Sequence, residues 1–259
     1  MNPAGALALK LVLTPLLVGA ASLAGRRWGS SVGGWLIGIP FTSGPIAFFL
    51  ALSPGPRFAA SAAAGIMAGA VSQSAFCLAY SWAAQRQGWA RCLGVATAAY
   101  AAVTIVLSLF FLPALASFVV VILVLVVSLF LMPEQRTRSA APVEFPRWDI
   151  PARMVVATGF VILLTAVAPV LGARLAGLLA PFPLYGSVLA GFAHRIQGTD
   201  PAVGVLRGLL LGLFAFASFF LVLALLLPEG LVVSFASAIF VAVVVQGATL
   251  VTGRRLGLA

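Results

Sequence analysis

The chain has 259 residues, of which 63% are hydrophobic and 8% charged, with a formal net charge of +10. About a quarter of the residues of a soluble domain are normally charged, so this composition excludes a soluble domain and predicts a helical membrane protein. The positive charge does not indicate nucleic-acid binding, because the Arg residues stand between apolar segments, where they set topology and meet lipid headgroups.

Nine apolar segments are long enough to cross a bilayer, which requires about 20 residues. In chain order these predicted spans are roughly 6–24, 34–52, 58–84, 92–112, 114–132, 152–172, 175–194, 202–227 and 231–252. Pro113 separates the fourth span from the fifth, which predicts a tight hairpin. The long polar segment 133–150 links the two halves, and we expect it to be irregular.

A shift of 143 residues brings the second half of the chain into register with the first without a gap. Lys10 then falls on Arg153 and Pro40 on Pro183. Glycines coincide as well, and the pairs are Gly34 with Gly177, Gly55 with Gly198, Gly65 with Gly208 and Gly69 with Gly212. Since Gly and Pro fix backbone shape, their coincidence indicates a duplicated unit.

The distribution of Lys and Arg predicts the orientation, because cytoplasmic connections are enriched in both. Eleven Arg residues follow spans one, three, five and seven or lie in the tail. Three basic residues lie on the other face, namely Lys10, Arg57 and Arg174. The N-terminus is then outside and the C-terminus cytoplasmic. Span one corresponds to span six, and this odd offset makes the repeats inverted. The predicted fold is all-α, with a four-helix repeat at 1–112, a linking helix and cytoplasmic loop at 113–150, and an inverted four-helix repeat at 151–259.

The sequence offers no catalytic or metal-binding set. No Asp or Glu lies inside a predicted span, and there is no His/Cys/Asp cluster and no set of nucleophile, base and carboxylate. The missing intramembrane carboxylates argue against a carboxylate-based proton relay. We therefore expect no enzymatic activity, no metal and no cofactor, and we expect Cys77 and Cys92 to be free buried thiols.

The candidate site is a Pro-rich break at matching positions of spans two and seven, GIPFTSGPIAFF (38–49) and LAPFPLYGSVLAGF (179–192). Pro removes an amide donor, and backbone groups freed in hydrocarbon need a neighbour, water or a ligand. Interrupted helices at matching positions of inverted halves indicate a transporter site. The alternative is a pair of kinks that only shape packing. The predicted substrate-binding residues are Pro40, Phe41, Thr42, Ser43, Gly44, Gln73, Pro183, Tyr185, Gly186 and Ser187.

Span three adds a stripe at helical spacing, formed by Gly65, Gly69, Ser72, Phe76 and Tyr80. Its glycines favour close helix packing, whereas the neighbouring Gln73 either contacts substrate or bonds an adjacent helix. Lys10 and Arg153 open the first helix of each half, at opposite faces of the membrane. These entrance charges either draw an anionic substrate inward or extend to lipid headgroups.

The stretch LAGLLAPFPLYGSVLAGFAHRIQGTDPAVGVLRG (175–208) resembles the GlpM-like family of small bacterial inner-membrane proteins. The matching positions are Arg153, Gly177, Leu178, Phe182 and Pro183, although Ala180 and Pro181 leave the Pro one place off the family spacing. The first half keeps Lys10, Gly34 and Pro40. The resemblance implies a fused pair of four-helix units in the bacterial inner membrane, and it bears on the fold more than on the function.

Three functions remain open. The first is a secondary transporter of a small neutral or anionic, partly apolar solute, in which helix N-termini at the breaks bind a carboxylate or phosphate. The second is a flippase for a lipid or polyprenyl carrier in envelope polymer assembly, which predicts an apolar groove open to lipid. The third is a non-transport membrane scaffold subunit with tightly packed halves. The expected partners are the lipid bilayer and a small-molecule or lipid substrate, with no nucleic acid, and the chain acts as a monomer or homodimer.

Overall fold

The computed structural model describes residues 3–38, 40, 43–52, 55–110, 112–134, 147–159 and 181–255, and no strand lies among them. The helices are α1 (Pro3–Trp28), α2 (Ser30–Ile37), α3 (Ser43–Leu52), α4 (Pro56–Ala83), α5 (Trp89–Leu107), α6 (Ala114–Leu131), α7 (149–159), α8 (Leu184–Gln197), α9 (Thr199–Leu226) and α10 (Leu231–Arg255). A 3-10 turn, Leu227–Glu229, joins α9 to α10. The all-α class predicted from the sequence is confirmed.

Five stretches of the described chain are long and apolar enough to cross a membrane, namely Pro56–Ala83, Trp89–Leu107, Ala114–Leu131, Thr199–Glu229 and Leu231–Gly253. The outer faces of the peripheral helices are apolar, as the exposed Phe130 and Val232 illustrate. Large exposed apolar patches are rare on soluble monomers but are expected where lipid covers them. The chain is therefore a helical membrane protein, and the count of nine spans stays a prediction.

The helices α4 and α9 form the central pair of the fold. Each has 28 residues, and each follows a glycine with positive φ, 131° at Gly55 and 98° at Gly198, a conformation that other residues adopt only with strain. The Thr199 hydroxyl at the start of α9 donates to the Ala84 carbonyl just after α4, at 3.0 Å. Since the start of one helix meets the end of the other, the two packed helices run antiparallel.

The short helix α2 packs on α9 at backbone contact. A Cβ atom on Gly38 would lie 2.5 Å from the Cα of Gly212, and a Cβ on Gly208 would collide with the Ser31 carbonyl oxygen. Small residues at both positions let the two backbones approach closely, as is common between membrane helices. Glycine is therefore required here for packing.

Trp35 attaches α2 to α10 as well. Its carbonyl accepts a hydrogen bond from the Gln246 side-chain amide at 2.8 Å, and its indole N–H donates to the Thr249 hydroxyl at 3.3 Å. An apolar environment makes such bonds difficult to replace, because water is not there to compete for the same groups. The helix α2 is thus packed on α9 and hydrogen-bonded to α10.

Candidate functional site

The first predicted break separates two helices. Pro40 lies between α2 and α3, is buried, and accepts the Gly44 amide on its carbonyl at 2.9 Å. Proline cannot donate to the preceding turn, so the helix ends and a new one begins. Ser43 is the first residue of α3 and is buried. Phe41 and Thr42, which belong to the predicted site, lie outside the described residues.

Beyond the first break, α3 enters an aromatic cluster. A Cβ on Gly44 would lie 3.6 Å from the Cζ atom of Phe219 on α9. Phe48 meets Phe235 of α10 edge to face, with ring centroids 5.3 Å apart, and Phe235 also packs edge to face on Phe219. The break therefore opens toward an apolar wall contributed by the second half of the chain.

The second predicted break is described from Pro181 onward, and α8 begins directly after Pro183. The Pro183 carbonyl accepts the Ser187 amide at 2.8 Å, and the Ser187 hydroxyl donates to the Leu184 carbonyl at 2.8 Å. The residues 160–180 that precede this break lie outside the described part of the chain. What the structure describes of the second break is thus the start of its C-terminal half-helix.

Aromatic rings and a glycine hold the second break against the first half of the chain. Phe182 packs edge to face on Phe76 of α4 and on Tyr100 of α5, with centroids 5.9 and 5.2 Å away. A Cβ on Gly69 of α4 would lie 2.6 Å from the Pro181 ring. The break of the second half is therefore supported by α4 and α5.

The start of α8 lies against the end of α2. A Cβ on Gly186, in the first turn of α8, would be 3.8 Å from Cδ1 of Ile37, the last residue of α2, and 2.7 Å from Leu209 of α9. Beside it, the Tyr185 hydroxyl is 3.2 Å from the Thr14 hydroxyl of α1. Two predicted residues of the second break, Tyr185 and Gly186, thus lie beside Thr14 and Ile37 of the first half, neither of which belongs to the predicted site.

Gln73 and Lys10 occupy less decisive positions. Gln73 is buried on α4, one turn before Phe76. The Phe76 ring in turn packs on Phe182 of the second break. None of the described contacts joins its amide directly to either break. Lys10 lies within α1, and its side chain is outside what the structure describes.

An ion-pair cluster joins the two halves, and sequence reasoning missed it. Asp149, assigned from the sequence to an irregular connection, lies in α7 and is fully buried. Its two carboxylate oxygens accept hydrogen bonds from Arg26 of α1 and Arg153 of α7, each at 2.8 Å. The Arg153 guanidinium also lies over the Phe192 ring, 5.4 Å from its centroid. The i,i+4 spacing of Asp149 and Arg153 was a usable signal, whereas Arg26 is too distant in sequence to be found this way.

A small cavity lies beside this cluster, between α1, α2, α7, α8 and α9. Its volume is about 30 Å³, which is room for one water molecule. Arg26, Arg153 and Gln197 contribute to its wall. The hydroxyl of Ser22, also in the wall, is buried and has no hydrogen-bond partner within the described residues.

A larger groove of about 210 Å³ lies between α4, α5 and α6. We call it the α4–α6 groove; its wall is formed by Ser61, Ala64, Gly65, Ala68, Gly69, Ser72, Thr104, Leu107, Ser108, Phe110, Leu112, Ser117 and Pro181. One end of the groove touches the second break through Pro181. The groove is therefore adjacent to the candidate site without being enclosed by the two breaks.

No group of three or more His, Cys, Asp or Glu residues able to hold a metal ion occurs in the described ranges. Comparison of the chain with protein-family models, curated proteins and solved structures finds no match. The resemblance to the GlpM-like family accordingly stays a prediction.

Proposed function

We propose that the protein is a secondary transporter of a small neutral or anionic, partly apolar solute that binds between the two interrupted helices. The observation that carries this proposal is the proximity of Gly186 at the start of α8 to Ile37 at the end of α2, where an added Cβ would lie 3.8 Å from Cδ1 of Ile37. Two helix interruptions from distant parts of the sequence thereby come close together. In a membrane, irregular backbone is tolerated where it is buried in protein or lines a site or a cavity.

The chemistry of the breaks suits an anion or a polar end group. The helices α3 and α8 both begin at a break, where the Gly44 amide donates to Pro40 and the Leu184 amide to Phe182. The amides of Ser43, Tyr185 and Gly186 have no backbone partner within the described residues. The helix dipole adds a partial positive charge at the same end, which favours a carboxylate or phosphate without any cationic side chain. Hydroxyl groups of Ser43 and Tyr185 lie beside these ends, and the phenylalanines of α3, α9 and α10 supply an apolar wall.

We further propose that residues 1–112 and 151–259 are inverted repeats, with the N-terminus outside and the C-terminus cytoplasmic. The shift of 143 residues that aligns the sequence also carries the first and last residues of α4 onto those of α9. It carries Gly69 onto Gly212 and Gly38 onto Pro181, and the two resulting pairs make reciprocal contacts, Gly38 with Gly212 and Pro181 with Gly69. Each half therefore places its break on the central helix of the other, which supports a twofold relation and a rocking motion about the breaks.

Two-sided accessibility of the breaks tests the transport proposal without knowledge of the substrate. Ser43→Cys and Ser187→Cys, each in the full-length protein, are treated with a membrane-impermeant maleimide in right-side-out and in inside-out membrane vesicles. Alternating access predicts that each cysteine is labelled in both preparations. The wild type measures the background, which we expect to be low because both native cysteines are buried. Cysteines that resist labelling in both preparations would favour breaks that only shape packing.

A second function is favoured by the α4–α6 groove, because a lipid-handling protein needs an apolar groove at its lipid-facing side. Proteoliposomes that contain fluorescently labelled phosphatidylglycerol separate this function from solute transport. If the protein moves lipid between leaflets, added dithionite quenches the whole labelled pool; otherwise only the outer leaflet is quenched. Complete quenching that requires the protein would replace the solute proposal with lipid translocation.

A further inference from the structure

The α4–α6 groove has the dimensions of a lipid chain in one leaflet. Its volume of about 210 Å³ exceeds the roughly 150 Å³ apolar cavity that accommodates benzene in another protein. Along α4 its wall extends from Ser61 to Ser72, which corresponds to about 16 Å at 1.5 Å per residue. The hydrocarbon core of a bilayer is about 30 Å thick, so the groove covers about one leaflet.

The hydroxyl groups in the wall of the groove are already engaged. Ser61, Ser108 and Ser117 donate to backbone carbonyls three to five residues earlier, at 3.3, 2.7 and 3.3 Å. Thr104 donates to the hydroxyl of Ser72 at 2.8 Å. Four of the five hydroxyl groups thus donate their hydrogen bonds to groups within the protein. They are not available to a polar ligand, so the groove suits an apolar occupant.

The groove is continuous with the apolar outer surface. Phe110 and Leu112 belong to its wall and are also exposed, by 68% and 41%. The neighbouring Leu109 and Leu115 are exposed as well. These residues lie in and beside the connection between α5 and α6, both candidate membrane spans, so a lipid chain can enter the groove sideways from the surrounding bilayer.

A basic residue, Arg57, lies at one end of the groove. Arg57 is exposed in the first turn of α4, four residues before Ser61, and therefore lies on the helix face that lines the groove. It forms no ion pair with any described residue. Basic residues at the end of a span are well placed to bind lipid phosphate groups.

We propose that the α4–α6 groove binds one acyl chain of an anionic phospholipid, whose phosphate lies at Arg57. The apolar wall fits an acyl chain, and the length of the groove matches a chain within one leaflet. The position of Arg57 fits the phosphate. The proposal requires only that the chain be embedded in a membrane, and it is independent of transport at the breaks.

Filling the groove tests the chain-binding part of the proposal. Gly65 lies in its wall, and a Cβ there would meet no described atom within 4 Å, so Gly65→Leu projects a side chain into open space. Gly94→Leu is the matched control, because Gly94 is an exposed, uncrowded glycine of α5 outside the groove. The full-length proteins, delipidated in detergent, receive phosphatidylglycerol, and retained lipid is counted by native mass spectrometry. We expect the wild type and Gly94→Leu to retain one lipid, and Gly65→Leu to bind it at least about tenfold more weakly.

Removing the cation tests the phosphate contact on a surface position that leaves the packing intact. Arg57→Gln should reduce the preference for phosphatidylglycerol over phosphatidylcholine about fivefold, since one basic residue at the membrane surface contributes roughly that factor. Arg91→Gln, exposed near the start of α5, is the control and should leave the preference unchanged. Retention of the lipid by Gly65→Leu would overturn the groove as the site. Equal wild-type affinity for the two lipids, or an unchanged preference in Arg57→Gln, would overturn the phosphate contact.

Discussion

At the scale of single residues, the most consequential group is the carboxylate of Asp149. It is fully buried between two guanidinium groups, and it links α1 to α7 across the two halves of the chain. Taking charges out of water is costly, so such a cluster is stable only while its members remain paired. The loss of one member leaves buried charges without compensation.

Asp149→Asn should therefore destabilise the folded protein by about 3 kcal/mol, because it leaves Arg26 and Arg153 facing a neutral amide. Thermal unfolding of the detergent-solubilised protein measures this loss. Glu229→Gln, at an exposed position, removes the same charge without breaking a described ion pair and should unfold like the wild type. Equal stability of the two variants would show that the buried cluster contributes little.

Two glycines that the 143-residue shift pairs should respond oppositely to alanine. A Cβ on Gly208 collides with the Ser31 carbonyl oxygen, whereas a Cβ on Gly65 meets no described atom within 4 Å. We expect Gly208→Ala to lose about 1–3 kcal/mol of stability through overpacking. Gly65→Ala should gain roughly 0.5–1 kcal/mol, because alanine favours the helix. Thermal unfolding of both variants is the measurement, and similar behaviour of the two would contradict the close packing of α2 on α9.

At the scale of elements, the two Pro-rich breaks are where sequence and structure agree most directly. Proline ends a helix by a local steric and hydrogen-bonding effect, which needs no knowledge of the rest of the chain. Accordingly, α2 and α3 are separate helices around Pro40, and α8 begins directly after Pro183. The aromatic contacts on either side of the breaks follow from packing and have no comparable local signal.

Pro40→Ala and Pro183→Ala should impair two-sided access more than expression, because alanine permits a continuous helix where the proposed motion needs an interruption. The measurement is labelling of Ser43→Cys from both faces in each proline background, together with the yield of folded protein. Pro228→Ala, in the exposed part of the 3-10 turn, is the control. Parallel loss of yield and of labelling would instead indicate a packing role for the prolines.

At the scale of the whole molecule, the antiparallel pair of α4 and α9 forms the centre on which most of the other helices pack. Of the most apolar stretch of α9, 67% is buried, against 17% in α5, so α9 belongs to the core and α5 to the lipid-facing periphery. Each central helix supports the break of the opposite half, through Gly212 on one side and Gly69 on the other. The two halves of the chain are therefore in close contact at both central helices.

Inversion of the repeats predicts opposite accessibility for two connections that correspond under the 143-residue shift. Gln87→Cys lies between α4 and α5, and Glu229→Cys lies between α9 and α10, both at exposed positions. We expect a membrane-impermeant maleimide to label Gln87→Cys from the cytoplasmic side and Glu229→Cys from the outside. Labelling of both from one side would indicate a parallel duplication and would remove the basis for an inverted transporter fold.

The helix boundaries at Pro40 and Pro183 were predictable from the sequence, whereas the contacts around them were not. Pro40 and Pro183 mark the breaks because proline itself interrupts a helix. Tyr185 and Ser187 could be assigned to the second break because they are close to Pro183 in the sequence. The contact of Gly186 with Ile37 depends on how α8 lies over α2, which no local pattern specifies. The same holds for the hydroxyl pair of Thr14 and Tyr185, which are 171 residues apart.

The sequence by itself determined the helical membrane class and the positions of the breaks, because composition and proline act through local backbone chemistry and through the bilayer as solvent. Of the two α4 glycines expected to pack closely, Gly69 does so and Gly65 does not. Only the tertiary structure decided which helices form the core, which carboxylate is buried, and where the α4–α6 groove lies. Apolar helices look alike in sequence whether they face lipid or protein, since both surroundings are equally apolar. Their arrangement is fixed by the fit of side chains between helices, and that fit exists only in three dimensions.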